Sequence, residues 1–252
     1  MQNVLKQFDG FSNLGTCSID NPKEGHTTFV KNIKAIEKLM PFQKRILVLV
    51  PFDLKDEASK LPVNCKLLNL EPSDNVDYIF TYIHNTFNET MIPSECVVHP
   101  SVKFGLQVVI GAQGLKIVED ANSNRLFFKH VGNVIIKENV FIEAHTVIHR
   151  GSLDSTIIEK DVVIGSLCNI GHNCIIDERT ILTSGVHLGG GAKIGKSCWI
   201  GMNATIGHKV SVCNNVMIGM GSVVTKSITK SGVYFGIPAI RRRSWDGKWT
   251  SR

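Results

Sequence analysis

The chain has 252 residues, 43% hydrophobic and 20% charged, which is enough apolar mass for a sizeable core in one large domain or two small ones. No stretch approaches the roughly 18–20 apolar residues of a membrane span, and residues 1–13, MQNVLKQFDGFSN, hold no apolar h-region, so neither a membrane span nor a secretory signal is expected. The net charge of +6 is concentrated in residues 226–252, where Lys226, Lys230, Arg241, Arg242, Arg243, Lys248 and Arg252 face one acid, Asp246. A basic tail of this kind suits an anionic partner, whether a phosphorylated cofactor, an acidic carrier protein, nucleic acid or a membrane surface; a solvated tail is the bland alternative.

Residues 1–92 read as a small α/β domain. NIKAIEKLM (Asn32 to Met40) and VDYIFTYIHNTF (Val76 to Phe87) have helical periodicity, while RILVLVP (Arg45 to Pro51) and CKLLNL (Cys65 to Leu70) read as buried strands. Ile92-Pro93-Ser94 is the expected boundary.

A six-residue period then begins with Val98, Phe104 and Ile110, with Cys96 in a small slot before Val98. Residues 112–133 break it and read as a loop or hairpin around Asn122-Ser123-Asn124. The period resumes at Ile136, Ile142 and Ile148, and a four-residue insertion within Arg150 to Asp154 delays the next member to Ile158. From there Ile158, Ile164, Ile170, Ile176, Leu182, Leu188, Ile194, Ile200, Ile206, Val212, Ile218 and Val224 recur without a gap. A second ladder of small residues runs two positions ahead: Thr156, Val162, Cys168, Cys174, Thr180, Val186, Ala192, Cys198, Ala204, Val210, Val216 and Ser222. Neither a helix nor a simple strand has period six. A three-sided coil does, with one hexad per side, and hexapeptide repeats mark a parallel β-helix spanning residues 93–228. Cys96, Cys168, Cys174 and Cys198 fill small inward slots and read as structural thiols in a reducing cytoplasm. Residues 229–252, with their Gly and Pro breakers, are expected to leave the coil as a basic tail.

Eighteen residues make one turn, so residues eighteen apart stack about 4.8 Å apart. His172 and His208, each after an Ile-Gly pair, are therefore expected in one column two turns apart, roughly 9–10 Å, with Gly190 of the run Gly189-Gly190-Gly191 between them. Two imidazoles flanking bare backbone suit proton removal from an attacking amine or hydroxyl, with glycine N–H groups as oxyanion donors. Two surface histidines on a solvated face are the alternative reading. His145 and His149 lie at the insertion, His187 stacks above Asn169 as a structural residue, and His26, His84, His99 and His130 have no constellation around them.

At these residues the chain resembles the UDP-3-O-acylglucosamine N-acyltransferases of lipid A synthesis, within the left-handed β-helix acyltransferases. The matching strings are GHTTFVKN (25–32), VIGAQG (109–114), HRGSLDSTII (149–158), NIGHNCII (169–176), GGGAKIGKSCWIG (189–201), GMGSVV (219–224) and GVYFGIPA (232–239). The resemblance implies a left-handed coil and a cytoplasmic homotrimer with active sites at subunit interfaces. It implies an acyl-CoA or acyl carrier protein donor and a nucleotide-linked amino sugar acceptor. No bound metal or cofactor is expected, and no nucleic-acid partner, since that case rests on the basic tail alone. It makes His172 and His208 the catalytic pair and places Phe29 and Asn32 at the nucleotide. His145, His149, Asp154 and Asn173 join them as candidate acceptor-binding residues. Gly189, Gly190, Gly191, Ser222, Gly236, Arg241, Arg242 and Arg243 are candidates for the donor and oxyanion.

The chain also departs from that pattern. Gly165 stands where the family usually has Asp, seven residues before the catalytic His, leaving Asp154 as a candidate to orient the imidazole. The second aromatic of the base sandwich falls near Ala35, several early coils are missing, and so is the long C-terminal helix. These departures point to a relative that acylates a different nucleotide amino sugar, with a shorter acyl group, for surface polysaccharide or glycan. Two rivals stay open: a zinc enzyme of carbonic-anhydrase type using His172, His208 and Cys213, and a non-catalytic β-helix scaffold docking through its basic tail.

Overall fold

The computed structural model describes residues 16–72, 74–87, 96–245 and 247; the expected boundary at Ile92-Pro93-Ser94, residues 1–13, and Asp246, Lys248 and Arg252 of the tail lie outside them. The chain forms two compact units, residues 1–92 with 115–129, and residues 93–114 with 130–252.

The first unit is α/β. Strands β1 (Thr27–Phe29), β2 (Ile46–Val50) and β3 (Cys65–Asn69) form a parallel sheet in the order β1-β2-β3. All five residues of β2 are buried, as expected of the central strand of a parallel sheet covered on both sides. Helix α1 (Ile33–Leu39) is capped by Asn32, whose side-chain oxygen accepts the Ala35 N–H at 3.0 Å. Strand β1 and a short helical stretch, Phe52–Leu54 continuing into α2 (Lys55–Ala58), have no counterpart in the sequence reading. The last helix, α3 (Val76–Phe87), carries His84, which is fully buried with its ring parallel to that of Phe128 at 4.1 Å. Phe128 closes the antiparallel hairpin Ile117–Glu119 and Arg125–Phe127 that leaves the hexad pattern.

The second unit is a parallel β-helix. Each turn crosses three faces. Face 1, of eight strands, contains Val163–Ile164; face 2, of six, contains Asn169–Ile170; face 3, of six, contains Ile175–Ile176. Register confirms the 18-residue turn: Ile164 pairs with Leu182, Ile170 with Leu188 and Ile176 with Ile194. The large and small ladders from Thr156 to Val224 are buried, and each buried Ile or Leu stabilises the coil by about 1.5–3 kcal/mol relative to leaving it in water. Hydroxyls in the small slots are satisfied by the next turn: Thr180 donates to Gly195 O at 2.7 Å and accepts the Cys198 N–H at 3.0 Å. The inward cysteines Cys168, Cys174 and Cys198 carry free thiols, and burial pushes that of Cys174 up to about 12.

Two expectations are corrected. Phe104 is in register with Ile142 but is 44% exposed, because it sits on the first rung of face 1, where a solenoid packs on one side only. Residues 232–236 do not leave the coil. They pair in parallel with Val216–Ile218, and Ala239–Arg243 folds back antiparallel onto them, so the segment extends face 1.

Candidate active site

Both interruptions of the hexad occur on one edge of the coil. Residues 113–133 lie between face 2 (Val109–Ala112) and face 3 (Val134–Ile136), and residues 150–155 between Val147–His149 and Thr156–Ile158 of the same two faces. His172, Gly190 and His208 follow on successive turns of that edge. The two breaks bring residues 113–133 and 150–155 to the edge that carries His172, Gly190 and His208, which themselves lie within the uninterrupted ladder.

His172 is half-buried and its ring lies over Gly190: a Cβ at position 190 would stand 2.4 Å from His172 Nε2. Its Nδ1 is 2.9 Å from Asn173 Oδ1. The same oxygen accepts the Ser152 N–H and the Ser152 hydroxyl, both at 2.9 Å. A backbone N–H can only donate, so the Asn173 atom facing it is the oxygen, and His172 Nδ1 must be the protonated nitrogen. Nε2 is thus left with its lone pair over Gly190. Asn173 is itself held in a left-handed corner (φ 60°), with its N–H on Thr156 Oγ1 at 2.8 Å and its Nδ2 on the Asp154 carbonyl at 3.3 Å.

The group on His172 Nδ1 is thus Asn173 Oδ1, and the Asp154 carbonyl joins the arrangement through Asn173 Nδ2. Gly165 lies at the other end of face 2's Asn169–Ile170 strand, and a Cβ there would meet Ser184 N at 2.7 Å, so the position has no room for an acid in this backbone.

His208 is exposed, with its ring centroid 6.2 Å from that of His172, closer than the backbone spacing of two turns. Desolvation against the coil, then repulsion from Lys209 and His172, lowers its pKa, opposed by a hydrogen bond with the Gly190 backbone. Of the three glycines, Gly189 donates its N–H to Ile206 O and Gly191 to His172 O, at 2.8 and 2.7 Å, so neither is an oxyanion donor. Gly190 N–H meets no backbone carbonyl among the described residues.

Other candidates fall elsewhere. His145 sits between faces 1 and 2, across face 2 from His172. His149 joins the site edge from below, with Nδ1 donating to Gln113 O at 2.9 Å and Nε2 3.0 Å from Asn169 Oδ1. Ser222 is buried, and its hydroxyl accepts the Gly236 N–H at 3.2 Å, so it ties the C-terminal hairpin to the coil and does not line a groove. Arg241, Arg242 and Arg243 are exposed on that hairpin; Arg241 Nε donates to Ser231 O at 3.0 Å, and the Arg242 guanidinium lies 4.8 Å over the Phe235 ring. In the first unit, Phe29 packs 4.6 Å from Phe80, and Asn32 is the helix cap described above, with Ala35 half-buried behind it. Among the described residues no three His, Cys, Asp or Glu side chains converge as metal ligands would.

The sequence reading missed His130. Its ring is 1% exposed and lies 4.9 Å from that of His172. The one available signal was that residues 112–133 interrupt the ladder on the same edge as His172.

The model of the bacterial transferase hexapeptide, six repeats, matches residues 191–226. A UDP-3-O-acylglucosamine N-acyltransferase from Idiomarina loihiensis is 42% identical over 151 residues, 60% of this chain and 44% of that one. One from Pseudoalteromonas translucida is 46% identical over 140 residues, 54% of this chain and 40% of that one. The chain thus spans less than half the length of the curated relatives it matches. Among solved structures, LpxA from Acinetobacter baumannii aligns at 20% identity and a TM-score of 0.43, over 57% of this chain and 70% of that one. Repeat, fold and sequence similarity agree that this is a hexapeptide-repeat β-helix protein similar to the UDP-3-O-acylglucosamine N-acyltransferases.

Proposed function

We propose that the chain is an N-acyltransferase that moves an acyl group from a CoA or acyl carrier protein thioester to the amine of a nucleotide-linked amino sugar. The observation that carries this reading is the His172 ring, fixed with Nδ1–H on Asn173 and Nε2 open above a glycine backbone. A base in that state removes a proton from the sugar amine as its nitrogen attacks the thioester carbonyl. Gly190 N–H, which meets no backbone carbonyl among the described residues, is assigned to the oxygen that gains charge. Collapse of the tetrahedral intermediate breaks the C–S bond, and the imidazolium returns its proton to the leaving thiolate. His208, above Gly190, is assigned to positioning the reactants.

The curated relatives named above act on UDP-3-O-acylglucosamine by name, which favours a uridine nucleotide sugar as acceptor class. Phe29 offers an aromatic surface to a base, and Asn32, whose oxygen is used by its own helix, has its Nδ2 to donate. Arg241, Arg242 and Arg243 are suited to donor phosphates or an acidic carrier.

A homotrimer is part of the proposal. The outward residues of face 1 read Phe141, Val163, Ile181, Trp199 and Met217 on five consecutive rungs, an apolar column that another subunit would cover. No helix among the described residues is long and apolar enough to cross a membrane, and a cytoplasmic location accords with CoA or carrier-protein thioesters as donors.

The test is thiol release by purified protein offered acetyl-CoA, 3-hydroxybutyryl-CoA and a long-chain acyl carrier protein against a panel of UDP- and dTDP-linked amino sugars. Release that depends on one sugar and disappears in His172→Ala supports the reading. Silence across the panel with an intact trimer returns the chain to the scaffold alternative.

A further inference from the structure

His130 is held by three hydrogen bonds. Its N–H donates to Gln113 Oε1 at 2.9 Å, while Gln113 Nε2 donates back to its carbonyl at 3.1 Å. The Gly114 N–H donates to Nδ1 at 2.6 Å. Because a backbone N–H has no lone pair, Nδ1 is the acceptor, and the proton of the neutral ring resides on Nε2. This approach needs glycine: a Cβ at 114 would stand 2.0 Å from His130 Cε1 and 3.2 Å from His172 Cδ2, so one stretch of backbone touches both rings.

The hydrogen bonds then run around the site. Gln113 O accepts from His149 Nδ1, the His149 carbonyl accepts from the Thr156 hydroxyl at 2.7 Å, and Thr156 Oγ1 accepts the N–H of Asn173, which holds His172. The chain of contacts leaves His172 through Asn173 and returns to it through the His130 ring. Asn173 fixes the imidazole through one nitrogen and leaves rotation about that hydrogen bond undetermined. The tilted ring of His130, 4.9 Å away at 42°, removes that freedom.

We infer that His130 is a positioning residue: its buried ring, tied to Gln113 and Gly114, flanks His172 and keeps Nε2 of the base aimed over Gly190. The inference rests on the acyl-transfer reading for its catalytic consequence and on geometry alone for its structural one. His130 is not a second base, since a proton on Nδ1 would displace the Gly114 N–H.

The experiment compares wild type with His130→Asn, which keeps a short acceptor for Gly114 N–H but removes the ring, and His130→Phe, which keeps a ring but removes the acceptor. Nitrogen-15 NMR of His172 in the unliganded protein reports its tautomer and order, and thiol release reports kcat and KM. His130→Asn is expected to lose the single, Nδ1-protonated signal of His172 and to lower kcat about 10- to 100-fold with KM unchanged, as a misplaced base does. His130→Phe keeps a ring but sets a ring carbon against the Gly114 N–H, so it is expected to disturb His172 less than His130→Asn does. Folded His130→Asn with an unchanged His172 signal and unchanged kcat overturns the inference; if that variant does not fold, an unchanged His172 signal in folded His130→Ala, which has no ring, overturns it. If wild type releases no thiol with any pair, the acyl-transfer reading fails, and the NMR comparison alone decides the positioning role.

Discussion

Gly190 and His172 share one space: a Cβ on residue 190 would lie 2.4 Å from His172 Nε2 and 2.7 Å from Cε1. The three closest atoms such a Cβ would meet all belong to that imidazole. Gly190→Ala is therefore expected to leave the coil folded and to push the base out of line. The expected loss is at least about 100-fold in kcat, with an unchanged circular dichroism spectrum and a thermal midpoint within a few degrees of wild type.

Asn173 fixes the tautomer of His172 with a neutral amide where many histidine bases have a carboxylate. Asn173→Ala removes the acceptor and should lower kcat about 10- to 100-fold, since the imidazole is then free to place its proton on Nε2. Asn173→Asp keeps an oxygen for the Ser152 donors and adds a negative charge beside the imidazolium. That charge favours the protonated base, so the acid limb of the pH–rate profile should move to higher pH. A profile unmoved by Asn173→Asp would show that the two side chains do not interact during turnover.

His84 gives the first unit a defined acid sensitivity. Burial pushes its pKa down to about 4, opposed by its hydrogen bond to the Lys129 carbonyl and reinforced by repulsion from Lys116 and Lys129. Its Nε2 donates to Lys129 O at 2.7 Å, and its Nδ1 accepts from the Thr16 hydroxyl. The unfolded chain protonates this residue near pH 6.5. Between about pH 6.5 and 4 the unfolded state binds the extra proton, so stability is whole above that window and falls as pH drops through it, by on the order of 3 kcal/mol. Denaturant unfolding at pH 7.5 and pH 4.5 measures the difference, and His84→Gln should shrink it while lowering stability at neutral pH.

The outward apolar column of face 1 predicts the assembly state. Face 3 turns polar in the equivalent position at Lys193 and Ser211, and face 2 does so at Asn169, His187 and Thr205. Ile181→Glu places a charge at the centre of the face 1 column without touching the inward ladder. Light scattering should then report a shift from trimer toward monomer, with thiol release falling in parallel if the site needs a second subunit. A trimer that survives Ile181→Glu would place the interface on another face.

The repeat made most of the fold legible in the sequence, because each hexad buries its own large and small side chain and sequence spacing becomes distance along the coil. The order His172, Gly190, His208 on one edge followed from counting eighteens, as did the inward cysteines. Helices α1 and α3 of the first unit followed from period, and its central strand from an unbroken apolar run. Only the tertiary structure decided how the groups of the candidate site are arranged. Backbone rise sets Cα spacing, but side-chain torsions set ring spacing, so the two imidazoles stand 6.2 Å apart rather than 9–10 Å. The glycine run offered three N–H groups, and the coil's own hydrogen bonds use those of Gly189 and Gly191. Asn173 becomes the orienting residue because the inserted Ser152 turns both of its donors onto Asn173 Oδ1. His130 lies 42 residues before His172, and only the excursion that leaves and rejoins the same edge brings them together. A periodic sequence specifies the positions it repeats; where the period breaks, long-range hydrogen bonds and close backbone approaches choose the geometry around them.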